Sequence, residues 1–153
     1  MKILREAVPF DEILRTYKEE NRDWPGYAIG IDYLNEANAR CQGKWRLVSL
    51  SNTDVSSVIL PYHRHEGFEV IPPLGLSVSA AVERLKQLPK EQMRDCWKRI
   101  SELGQRDFSQ MHIALGREDG SLKHVDGVHR LLAYGLFGKN HEVLTYVADY
   151  SPR

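Results

Sequence analysis

His124-Val125-Asp126-Gly127-Val128-His129-Arg130 is the stretch whose reading decides the fold. Upstream of it, residues 111–115 read as a strand. Glu118-Asp119-Gly120 then carries the Asp-Gly hairpin signal, and residues 122–125 read as the return strand. Downstream, Leu131, Leu132 and Leu136 recur at helical spacing until Gly138 closes the segment. Residues 143–147 read as a final strand. The side-chain period changes from two to 3.6 across Asp126-Gly127. That dipeptide is therefore predicted to join a strand end to a helix N-terminus.

Such a turn suits anion chemistry. Free backbone N–H groups and the helix dipole favour a negative ligand. Gly127 permits a sharp turn and close approach. Arg130 offers a planar fork for phosphate or carboxylate, and His129 exchanges a proton near neutral pH. Asp126 can cap the helix or hold a metal ion that accompanies a polyphosphate. The same residues also fit a plain helix start, with Asp126 as N-cap, His129 satisfied at the surface and Arg130 a surface charge.

Working outward, Phe10, Ile13, Leu14 and Tyr17 predict a first helix capped by Asp11. A second is predicted from Asp32 to Gly43. Residues 44–50 and 55–60 read as strands separated by a turn at 51–54, and residues 61–73 as a loop. Val78, Ala81, Val82, Leu85 and Leu88 mark one amphipathic helix; Met93, Cys96, Trp97, Ile100 and Leu103 mark another, closed by Gly104.

Lys plus Arg and Asp plus Glu number 21 each, so no net field draws the chain to nucleic acid or an anionic membrane. The 153 residues suit one domain. No apolar run approaches the ~20 residues of a membrane span. Met1-Lys2-Ile3-Leu4-Arg5-Glu6 meets charge too soon for a signal peptide. The expectation is a cytoplasmic protein with no nucleic-acid or membrane partner. Cys41 and Cys96 fit a reducing compartment and the role of buried thiols. His63, His65 and Glu66, with His129, form a possible transition-metal set of imidazoles and a carboxylate. His112 and His141 receive no role.

From Arg99 to Tyr150 the chain resembles the core of the ParB/sulfiredoxin superfamily: a helix ending in Gly, a strand, a hairpin, then a "DG-x-HR" turn opening a helix. Within that superfamily it is most similar to the free serine kinases, whose motif reads roughly "LDGHHR" and whose upstream "HE" pair corresponds to His65-Glu66. The ending Val147-Ala148-Asp149-Tyr150 is similar to that family's "VDY" close. Val128 stands where the kinase motif has its first histidine and where sulfiredoxins need a cysteine, which argues against sulfiredoxin activity.

The resemblance implies an α/β (α+β) fold with a small mixed sheet flanked by helices, in a single domain over residues 1–153. Residues 61–150 would be the core and residues 1–60 an N-terminal helix and strand elaboration. It implies a nucleotide-dependent phosphotransferase acting on a hydroxyl of a small metabolite, such as an amino acid, with ATP or ADP and Mg2+ as cofactors. Glu66 would be the general base, with His129 and Asp126 also catalytic. Gly127, Val128, His129 and Arg130 would bind the nucleotide, and Asp126 and His65 would hold metal. Two alternatives stand beside it: a metal-dependent small-molecule enzyme of the same fold using His65, Glu66 and His129, and a non-enzymatic nucleotide- or protein-binding module of the ParB kind.

Overall fold

In the computed structural model, residues 1–65, 67–138 and 141–150 are described, with the side chain of His65 outside that description. The elements run β1 (Lys2–Arg5), α1 (Phe10–Asn21), α2 (Tyr27–Cys41), β2 (Trp45–Leu50), α3 (Asn52–Ser56), β3 (Ile59–Leu60), β4 (His63–His65), β5 (Phe68–Ile71) and β6 (Leu76–Ser77). They continue with α4 (Val78–Gln87), α5 (Lys90–Met93), α6 (Asp95–Gly104), β7 (His112–Glu118), β8 (Ser121–Asp126), α7 (Val128–Phe137) and β9 (Val143–Asp149).

The fold is mixed α/β. Seven strands form one sheet in the order β1-β2-β9-β7-β8-β3-β6, and β4 pairs β5 in a separate ribbon. β7 lies parallel to β9, and β3 parallel to β8; the other neighbours are antiparallel. Alternation along the central strands splits the core in two. Ile113, Leu115, Val143 and Val147 face α3, α4, α6 and α7. Ala114, Tyr146 and Ala148 face α1 and α2. Both faces of the sheet are therefore covered by helices, as strands apolar on both sides require. Among the described residues no helix is long and apolar enough to cross a membrane.

Several local expectations are corrected. The first helix starts at Phe10 behind Pro9, with no side-chain cap, and Asp11 sits in the first turn. The second starts at Tyr27 instead of Asp32. Helix α1 ends at Asn21, and a turn through Pro25 leads to Gly26, the N-cap of α2. Residues 55–60 are not one strand. Ser51 and Asp54 close a capping box that opens α3, leaving only Ile59 and Leu60 extended. The expected loop holds the β4–β5 ribbon. Residues 1–60 contribute β1 and β2 to the same sheet as β7, β8 and β9.

One buried polar network ties three layers together. Arg130 on α7 is 5% exposed. Its Nη1 donates to Glu20 Oε1 on α1 at 2.6 Å and to the His112 carbonyl on β7 at 2.7 Å. Its Nη2 donates to Asn21 Oδ1 at 3.2 Å. Glu20 also accepts from the His112 backbone N–H at 2.9 Å and lies 2.6 Å from His112 Nδ1. Burial would raise the Glu20 carboxyl, but the His112 bonds and the charge on Arg130 outweigh it and hold Glu20 below its ordinary value.

Removing one partner of a buried ion pair strands the other charge, at a cost of about 3–5 kcal/mol. Arg130→Met should therefore lower the melting temperature by roughly 10 °C. A shift near zero in a thermal melt would show that this network does not hold α7 to α1.

Candidate functional site

The N-terminal turns of α6 and α7 bring the candidate site together. Cys96 is the second residue of α6 and His129 the second of α7. His63 opens β4. Cys96 Sγ lies 3.6 Å from His63 Nε2 and 3.5 Å from His129 Nε2. The three ligand atoms lie within 4.8 Å of one another. Cys96 is fully buried, while His63 and His129 are half-buried. The two rings meet edge to face, with centroids 5.0 Å apart.

Local backbone geometry aims these side chains. Gly127 takes φ 110°, and a Cβ there would meet Ile113 Cγ2 at 2.9 Å, so glycine is required where β8 turns into α7. Arg94, two residues before Cys96, takes φ 46° and ψ −117°, an unfavourable conformation for a non-glycine residue. This sharp corner between α5 and α6 sets the direction of the first α6 turn. Trp24, between α1 and α2, packs at a steep angle against His129, with 5.4 Å between centroids, and walls the cluster on that side.

The surrounding groups are electrically biased. Burial, reinforced by the charge of His63, pushes the His124 imidazole down to about 4, so it is neutral at pH 7. Burial pushes the Asp126 carboxyl up to about 6; Arg130 opposes this and Glu20 adds to it. Burial, together with the charge of Asp126, raises the Tyr17 phenol. Asp126 lines a cavity of about 20 Å³ with Tyr17, Glu20, Asn21, His112 and Tyr146 among its neighbours. That volume suits one water.

Asp126-Gly127 does lie between a strand and a helix N-terminus. The side chains that follow it separate, however. His129 turns to α6 and β4. Arg130 is neither a surface charge nor an open fork, because its donors are engaged by Glu20, Asn21 and His112. Asp126 forms no side-chain cap on α7, whose N-cap is Gly127, and it faces the α1–α2 layer. Val128 packs against the core. His65 lies in β4. The Glu66 expectation, and that for the His65 side chain, fall outside the described residues. His112, given no role from the sequence, is part of the Arg130 network.

Cys96 is the residue that sequence reasoning missed. It was expected to be an inert buried thiol, as Cys41 is. Burial is correct, but its sulfur sits between two imidazoles contributed from far along the chain. The available signal was its place in the first turn of a predicted helix, where the dipole favours a thiolate.

Residues 1–152 match DUF6309, described as a family of unknown function, and the chain belongs to that family. No curated protein and no solved structure matches it.

The raised Asp126 carboxyl has a defined consequence for stability. The folded chain holds this proton up to about pH 6, whereas an unfolded carboxyl releases it near 3.8. Its stabilising contribution is present below the unfolded value and is lost as pH rises through about 6. Asp126→Asn, which cannot ionise, should melt with the parent at pH 4 and a few degrees above it at pH 7.5. A difference that stays flat with pH would contradict this environment for Asp126.

Proposed function

We propose that this DUF6309 protein is a metal-dependent enzyme acting on a small molecule, with His63, Cys96 and His129 holding one zinc-class ion. The observation that carries the reading is the sulfur–nitrogen spacing of 3.6 and 3.5 Å. A tetrahedral zinc with Zn–S about 2.3 Å and Zn–N about 2.0–2.1 Å separates those atoms by about 3.5–3.6 Å. One sulfur and two nitrogens suit zinc and its neighbours, whereas Mg2+ takes oxygen ligands. Among the described residues three ligands gather, and three protein ligands with a fourth position for water or substrate are the pattern of catalytic zinc sites.

Such an ion, when bound, activates water near neutral pH and polarises a carbonyl or phosphoryl oxygen. The chain supplies the rest. Neutral His124 lies near His63 without adding positive charge. Trp24 restricts the approach of solvent beside His129, and the Arg130 network holds the start of α7 in place.

The phosphotransferase reading is a second proposal, supported by the order β7, β8, Gly127, α7, β9. That order is the one expected of a ParB/sulfiredoxin-like core, in which a helix N-terminus favours an anion. The engagement of Arg130 within the protein weighs against it.

Titration separates the two. Zinc at a hundred times its dissociation constant contributes about 2.7 kcal/mol, so the melting temperature should rise by roughly 5–10 °C. Losing even an outer-shell partner weakens metal sites ten- to hundredfold, so Cys96→Ser should weaken binding by roughly a hundredfold or more. Stabilisation by ATP or ADP with Mg2+, and none by zinc, would overturn the metal reading in favour of phosphotransfer.

A further inference from the structure

Arg99 stands one turn beyond Cys96 on α6. Helix residues three apart share a face, with Cβ atoms about 5–6 Å apart. The guanidinium carbon of Arg99 lies 4.4 Å from the Trp24 ring centroid, on the same indole that meets His129 in a T-shaped contact. Arg99 is partly buried. Among the described residues no carboxylate lies within ion-pair distance of it.

This is the opposite of Arg130, whose donors are engaged inside the protein. A guanidinium lying over an indole still has N–H donors directed away from the ring, and a planar or tetrahedral anion can be held by two parallel bonds. Holding a half-buried arginine on an indole without a carboxylate partner carries a desolvation cost that an arriving anion offsets. Burial, with the charges of Arg106 and Arg130, holds Arg99 below its ordinary value, while Glu102 opposes them.

We propose that Arg99, backed by Trp24, is an anion subsite beside the His63–Cys96–His129 cluster, and that the substrate is a small molecule bearing a carboxylate or phosphate group. The assignment rests on the metal reading for its catalytic meaning, but the binding of the anion is tested separately. Trp24 holds the guanidinium over its ring and sets the distance between the anionic group and the reacting group. Arg99 thereby fixes which part of the substrate reaches the cluster.

The test uses inorganic phosphate and acetate, each titrated into the metal-free and the zinc-loaded protein, with tryptophan fluorescence and calorimetry as readouts and chloride at matched ionic strength as control. At least one anion should bind saturably, and the stronger of the two names the substrate group. Arg99→Met, which keeps the stem on Trp24, should weaken that binding roughly ten- to hundredfold and leave zinc affinity unchanged. Arg99→Lys keeps the charge without the fork and should lose less. Failure of zinc to bind sinks the metal reading alone, because the metal-free titration still decides Arg99. Absence of binding by both anions, or equal affinity in the parent and a folded Arg99→Met, overturns the subsite. If Arg99→Met does not fold, parent-like affinity in Arg99→Lys overturns it instead.

Discussion

The arrangement depends on the Arg130 guanidinium being held inside the protein. It joins α7 to the end of α1 and to the first residue of β7 through Glu20, Asn21 and His112. Successive residues on a helix point about 100° apart. Fixing Arg130 toward α1 therefore fixes His129 toward α6, where Cys96 waits. The residue that looked most like a ligand-binding fork is instead what positions its neighbour. Gly127 completes the constraint, since no larger residue fits between the strand end and Ile113.

The same turn divides two electrostatic environments. On the α1–α2 side, Glu20, Asp126 and Tyr17 line a water-sized cavity, and the charge of Arg130 acts on all three. On the α6 side lie two imidazoles, a thiol and an aromatic wall with an arginine over it. A buried network of this kind contributes little net stability compared with an apolar replacement. Its value here is geometric: it sets the register of the α7 start with charged contacts that have few alternative partners.

Much of the fold was legible because local signals agreed with the tertiary outcome. The Asp119-Gly120 hairpin, the apolar stripes of α4 and α6, and the change of period at Asp126-Gly127 appear where the spacing predicts them. Misreadings arose where local and tertiary signals diverged. Val55 and Val58 carry strand propensity, but the Ser51–Asp54 capping box and burial of Val55 give a short helix. β1 is exposed throughout its length, so it shows no alternation, and its pairing with β2 is set by tertiary contact. Of the site, the strand-turn-helix frame and the grouping of His63 with His129 were readable. The entry of Cys96 between them was not, because no local pattern joins its segment to theirs, and only the packing of α6, α7 and β4 brings the three within bonding distance.

The central claim is that one ion is held by one sulfur and two nitrogens. X-ray absorption at the zinc edge on the loaded protein tests it most directly. The expected first shell holds one sulfur at about 2.3 Å and two imidazole nitrogens at about 2.0–2.1 Å, with the sulfur scatterer gone in Cys96→Ser. A first shell of nitrogen and oxygen alone, unchanged in Cys96→Ser, would contradict it.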